Sequence, residues 1–333
     1  MGGTCLALAS TSDKGTRDMR SATSNFLNSM ISSRMVAIGL IVAAPSLASA
    51  QESSEPGTTH PILAAVVIAL GILTLVILWK RDTIRPGSFK RIEPAEAPPP
   101  ESGLVLFAML IGCLIVSAIA AVLVTQAQGV DPEIGRTMPE QGVFTLLVGF
   151  GGVAAGVGAM LLACRTWALD RFRFTSSGYL TGLLLGLALY PLLLSVTMVS
   201  GYVFRLLGTP PGEGIAHETL NTIVAPETGA WRWAVIAGAV VLTPIFEELL
   251  FRGLLQSAVV SIVRNRWVAV LIASALFVGP HIGPAIQPHV LPAIGGLGIA
   301  MGVAYERTGK ISIPIAMHAM YNGINVGVSF LIA

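Results

Sequence analysis

The residues of this chain best suited to chemistry lie where charge is costly. In Thr243-Pro244-Ile245-Phe246-Glu247-Glu248-Leu249-Leu250-Phe251-Arg252-Gly253, two adjacent carboxylates and a guanidinium interrupt a long apolar run. At the centre of a membrane helix each such charge costs about 2.5 to 3.5 kcal/mol. The trio therefore cannot face lipid and requires a protein-lined or water-filled cavity. Helix geometry separates the two acids: Glu248 and Arg252 are four apart, on one face and in the favourable order for an ion pair, while Glu247 is turned about 100° away. Glu247 is left as the free carboxylate. Two of the five histidines also lie in later apolar runs. His281 ends Phe277-Val278-Gly279-Pro280-His281, with Phe277 one turn above it as a cavity wall, and His318 opens His318-Ala319-Met320-Tyr321-Asn322. His318 and Asn322 share a helix face, so the amide could orient the imidazole or bind a substrate or oxyanion.

One carboxylate and two imidazoles suit hydrolysis, the carboxylate as general base toward water and the imidazoles as metal ligands or donors to an oxyanion. No Ser or Cys nucleophile motif is present. Cys5, Cys113 and Cys164 show no ligand spacing, and neither a disulfide nor a thiolate metal site is expected. His217-Glu218-Thr219-Leu220-Asn221 fails the zinc-protease pattern at its last position and reads as an accidental match in an outside loop. The alternative is that the acids only tie helices together, or that they load a cation in a transporter; no internal repeat supports the latter.

The elements that must position these groups are membrane helices. Of the 333 residues, 53% are hydrophobic and 11% charged, with a mean hydropathy of +0.76, whereas soluble domains carry about 25% charged residues. A net charge of +2, with the basic residues in short clusters, argues against a nucleic-acid partner. Residues 1–50 read as a signal peptide ending in Ala48-Ser49-Ala50. Eight apolar segments follow, near 61–79, 103–126, 143–164, 179–204, 231–263, 267–286, 290–305 and 311–333. An all-α polytopic membrane protein of about eight transmembrane helices is expected, with a C-terminal four-helix catalytic unit. Placing the mature N-terminus outside puts the Lys/Arg clusters at 80–91, 165–173, 264–266 and 307–310 inside, with Arg136, Arg205 and Arg232 outside. That bias favours a multi-pass protein of the cell membrane in this orientation.

The organisation expected is N-terminal helices over 51–204, an extended Pro-rich cytoplasmic linker near 81–102, an external loop over 205–230, and a site-bearing domain over 231–333. Depth raises a difficulty. At about 1.5 Å per residue, Glu247 and His281 fall roughly 25 and 22 Å from Arg264 and Arg266, but His318 only about 12 Å from Lys310. Straight helices would leave His318 out of line with the others, so a kink at Pro244 or Pro280, or a helix extending into the cytoplasm, has to bring them together.

The ordered set E-E-x-x-x-R, F-x-x-x-H and H-x-x-x-N, each on its own apolar segment, resembles the CPBP intramembrane proteases, the CAAX-protease, bacteriocin-processing and Abi-like family that includes the type II CAAX prenyl endopeptidases. The likeness covers about 231–328 and extends through Ala304-Tyr305-Glu306-Arg307-Thr308-Gly309-Lys310 toward His318. It implies an intramembrane endopeptidase, putting the attacking water on Glu247, support from Glu248 and Arg252, and completion of the site by His281, His318 and Asn322. Family members are commonly called metalloproteases; His281, His318 and Glu247 could hold Zn²⁺ with one open position. The partners implied are the lipid bilayer and a membrane-associated peptide or protein. A non-proteolytic scaffold or immunity protein of the same fold is the rival reading.

Overall fold

The computed structural model describes residues 61–91, 97–131, 136–167, 174–212 and 215–333; the expected signal peptide lies outside them. Among the described residues the architecture is helical, with an isolated bridge between His217 and Ile286 and no extended sheet. Helices satisfy their own backbone, which a bilayer interior demands. The long helices are α1 (Pro61–Lys80), α3 (Ser102–Gln128), α4 (Met138–Trp167) and α5 (Ser176–Leu206), with α2 (Ser88–Arg91) a single turn. A short α6 (Glu218–Val224) precedes a composite rod, α7, over 232–263. Then come α8 (Arg266–Val278), α9 (Leu291–Thr308) and α10 (Ser312–Ile332).

Among the described residues seven stretches are long and apolar enough to cross a membrane; Arg266–His281 is apolar but shorter. The sixth expected segment is shortened because α8 tightens into a 3-10 turn at Gly279-Pro280-His281 and leaves it extended at Ile282. Proline there cannot continue the helical hydrogen bonding. Sharp turns set the hairpins: Arg264 in the left-handed region (φ 57°) with Asn265 capping α8 through the Val268 N–H, and Gly309 (φ 63°) ending α9.

Two apolar cores flank the site. One joins α5, α8, α9 and α10 through Leu189, Leu193, Phe277, Leu297 and Met317; the other joins α3, α4 and α7 through Leu106, Met160, Leu249 and Leu254. Phe251 packs against both. In lipid, where apolar side chains gain little by leaving their surroundings, close approach of backbones becomes decisive. Gly178, Gly182 and Gly186 supply it along α5: a Cβ at Gly182 would fall on the Ile313 carbonyl, and one at Gly186 would meet Met317 backbone at 3.0 Å. Gly182→Val is expected to force α5 from α10 and cost at least about 1 to 3 kcal/mol. Thermal unfolding in detergent checks this, with an unchanged midpoint counting against it.

The stretch read as a linker differs from expectation over 81–91. It is folded down, with Thr83 and Ser88 buried and the Arg307 guanidinium donating to the Asp82 and Thr83 carbonyls, both at 3.1 Å. Phe89 packs on Trp267 at 5.1 Å between ring centroids. Apolar and hydrogen-bonded anchors outweigh the turn-forming composition there.

Candidate active site

The rod carrying the glutamates is not a uniform α-helix. Two wider π-helical stretches, Gly238–Leu242 and Leu249–Gln256, bracket the α-helical Thr243–Glu248. Such bulges cluster at functional sites. The first has a local cause. Thr243 N–H reaches five residues back to the Gly238 carbonyl, and the next bond in that register would require an N–H from Pro244. The Ala239 carbonyl is thereby freed, and Asn322 Nδ2 on α10 donates to it at 2.8 Å. Asn322 does share a face with His318, but this amide bond commits it to α7, where it holds the bulge about two turns before Glu247.

Glu248 and Arg252 form a fully buried pair, Nη1 to Oε1 at 2.8 Å, with both side chains 0% exposed. Arg252 Nη2 also donates to the Gly298 carbonyl at 3.1 Å, and the guanidinium lies 4.5 Å from the Phe277 ring centroid. His318 Nδ1 stands 3.1 Å from the same Glu248 Oε1. With Glu248 accepting that N–H, Nε2 is turned toward Glu247, whose Oε2 lies 3.9 Å away. Glu247 is 19% exposed and lines a cavity of about 600 Å³. Its Oε2 is hydrogen-bonded to no described residue. The two acids thus differ as helix geometry requires: one is sealed in an ion pair, the other opens on the cavity.

His281 reaches the same cavity from the end of α8, its Nδ1 3.0 Å from the Phe277 carbonyl. Phe277 is the hub between them, 5.3 Å from His281, 5.5 Å from His318 and 5.3 Å from Phe251 between centroids. All six residues singled out by sequence therefore gather at one place, His281 through Phe277 and the cavity wall rather than by direct contact with the glutamates.

The depth difficulty disappears through the recessed α9–α10 hairpin. Gln256 Nε2 donates to Glu306 Oε1 and to the Gly302 carbonyl, each at 3.0 Å, and Ser257 and Tyr305 hydroxyls meet at 3.4 Å. The C-terminal end of α9 is thus level with Gln256, while α7 runs on to Val263. Eight residues separate Glu248 from Gln256 and His318 from Lys310, about 12 Å in each case. Arg266 reaches back to pair with Glu306. Arg252 and Gln256 on α7 thereby bond Gly298, Gly302 and Glu306 on α9, a buried polar ladder in steps of four that Glu248 extends along α7 toward His318. Sequence reading missed Gln256 and Glu306 as supports, although the matching four-residue steps on both helices were there to be read.

Residues 229–324 match the family model described as Type II CAAX prenyl endopeptidase Rce1-like. Over this region the chain is similar to a CAAX-protease-like domain, consistent with the CPBP family. No curated protein and no solved structure matches the chain. The matched region contains all six candidate residues, and at the level of the family the match supports an intramembrane protease.

The walls around the CAAX-protease-like domain come partly from outside it. Gln141 and Thr145 of α4, Tyr190 and Thr197 of α5, and the 215–220 stretch line the cavity with the domain's own residues. His217 is the residue most clearly missed. Its motif match carries no zinc-protease geometry, yet its ring lines the cavity while Nδ1 accepts the Thr219 N–H at 3.1 Å. Burial, then the nearby His281, lowers the His217 pKa, and Glu218 only partly opposes this. Only its position in the fold, pinned beside Ile286, brings it to the site.

The donor set anticipated for Zn²⁺ does not fit as arranged. His318 Nδ1 faces Glu248 and His281 Nδ1 faces the Phe277 carbonyl, contacts that a metal-ligating imidazole also makes, so the misfit rests on spacing alone. Among the described residues no three His, Cys, Asp or Glu side chains form a group able to hold a metal ion. His281, His318 and Glu247 thus share a cavity without sharing a coordination point, and no step is derived through a metal.

Proposed function

We propose that this protein is an endopeptidase that hydrolyses a peptide bond of a membrane-associated protein or peptide, with Glu247 activating the attacking water. The observation that carries the reading is the facing pair of Glu247 Oε2 and His318 Nε2, 3.9 Å apart at the cavity wall. That gap exceeds a direct hydrogen bond and is of the length that a bridging water spans.

In this reading Glu247 takes a proton from the water as its oxygen attacks the scissile carbonyl, and returns it to the leaving amine. His318, as imidazolium, donates from Nε2 to the developing oxyanion. Glu248 accepts the Nδ1 hydrogen and fixes the ring, and Arg252 offsets the Glu248 charge. Each pair then holds one positive and one negative group, so the site is neutral before reaction. His281 lies beyond Phe277 and lines the substrate's path. Asn322, committed to Ala239, keeps the α7 bulge in place, and its second amide hydrogen is available to substrate.

The test is reconstitution of purified protein in lipid with a fluorogenic membrane-peptide library. Wild-type protein is expected to cleave a subset, His318→Ala to lose at least about a hundredfold in kcat, and a strong chelator to leave turnover within about twofold. Complete loss of turnover on chelation, restored by Zn²⁺, would replace this mechanism with a metal-based one. Ion flux without any cleavage would move the protein to the transporter class.

A further inference from the structure

The cavity has a direction. Most of its lining comes from the helix halves remote from the Lys/Arg clusters, with Tyr190, His318 and Tyr321 near mid-helix at its floor. Gln141 lies in the first turn of α4, His281 ends α8, His289 precedes α9, and Ser329 lies in the last turn of α10. The inner ends of these helices carry Arg165, Arg266 and Arg307 instead. Among the described residues no Lys or Arg lines the cavity.

Its opposite end is closed. Gln256, Ser257, Glu306, Ile311 and Ser312 are all 0% exposed, and the ladder of hydrogen bonds from Arg252 to Arg266 fills the space between α7 and α9. No polypeptide can reach Glu247 through that packing without breaking buried polar pairs. The outer end is roofed instead by a thin strap. Glu218 N–H donates to the Ala285 carbonyl, and Gln287 N–H to the Ala216 carbonyl, both at 3.0 Å. Two backbone bonds and the short α6 are a light closure compared with the packed ladder.

Basic residues concentrate on the cytoplasmic side of membrane proteins. From this bias and the one-ended cavity we infer that Glu247 is reached from the outer face, and that the substrate is an exported polypeptide segment presented on that side beneath the 215–220 strap. This rests on the protease reading above. It also separates the protein from cleavage of a prenylated cytoplasmic C-terminus, which would approach the sealed end. The strap and the α4 and α5 walls lie outside the family-matched region, so selection among exported segments falls partly to residues beyond it. The entrance lining is mostly apolar with neutral polar groups such as Gln141, Thr197 and Asn325, which suits an uncharged extended segment.

Two measurements test it. In a background with Cys5, Cys113 and Cys164 replaced by serine, Glu218→Cys is expected to react with a membrane-impermeant maleimide in intact cells, and Thr166→Cys only after lysis. Both positions are exposed and outside the catalytic machinery. The reverse pattern overturns the inference whatever the activity. The second measurement uses two membrane-anchored reporters carrying a sequence that the purified protein cleaves in lipid, one displaying it outside and the other in the cytoplasm. The protease reading has then already passed its own test. Cleavage of the outer reporter alone, lost in Glu247→Ala, supports the inference; cleavage of the cytoplasmic reporter, or of neither, overturns it.

Discussion

Glu247→Ala is expected to reduce peptide-bond cleavage by about two to four orders of magnitude, the range for loss of a positioned general base, while leaving thermal stability unchanged or slightly raised. The two halves of this result come from the same atom. Glu247 Oε2 is buried against the cavity and takes no hydrogen bond from any described residue. A desolvated acceptor without a hydrogen bond costs the folded state about 1 to 3 kcal/mol, and relief of that cost offsets the loss of the His318 attraction at 3.9 Å. Glu247→Gln should behave like Glu247→Ala in activity, because the amide keeps the shape and loses the base. Cleavage in lipid by wild type and both variants, alongside thermal unfolding in detergent, measures both effects. Variants that kept wild-type turnover would end the role assigned to Glu247. A biological function that survived Glu247→Ala, with no cleavage by wild type, would leave the non-proteolytic scaffold reading in front.

The different placement of the two acids was legible in sequence because it depends on a local rule. Four residues on one helix bring Glu248 to Arg252, and one residue turns Glu247 away, whatever the rest of the chain does. Phe277 and His281 follow the same rule. The long apolar helices were legible for a related reason, since a bilayer permits few other ways to satisfy the backbone. What escaped depends on contacts between distant segments. The His318 position follows from the α9–α10 hairpin stopping level with Gln256, and nothing in residues 309–318 states how far α7 continues beyond it. Asn322 pairs with a carbonyl that is free only because Pro244 follows a π-helical stretch. His217 comes from a loop outside the matched domain and reaches the cavity through the Ala285 and Ala216 backbone bonds. The 81–91 stretch shows the converse error: turn-forming residues suggested a free linker, and Arg307 with Trp267 pins it down.

Arg252→Met is expected to produce the opposite pattern from Glu247→Ala, with stability and activity falling together. The substitution leaves Glu248 as an uncompensated charge at 0% exposure and the Gly298 carbonyl without its donor. Removing one partner of a buried ion pair costs about 3 to 5 kcal/mol. Arg252→Lys should recover only part of this, because a single ammonium cannot reproduce the planar fork that serves Glu248 and Gly298 together. The informative variant is Glu248→Gln combined with Arg252→Met. With no buried charge left unpaired, more than half of the lost stability should return, since buried pairs are often replaceable by neutral groups. Cleavage should not return with it. The neutral amide that Glu248→Gln introduces can still accept from His318 Nδ1, but it is a weaker acceptor than the carboxylate and holds the ring facing Glu247 less firmly. The double variant is therefore expected to unfold near the wild-type midpoint and to cleave at least about tenfold more slowly, the effect of about 1.4 kcal/mol in the barrier. Recovery of both properties would make the pair a structural tie between α7 and α9 and nothing more, and the catalytic apparatus would shrink to Glu247 and the histidines around Phe277.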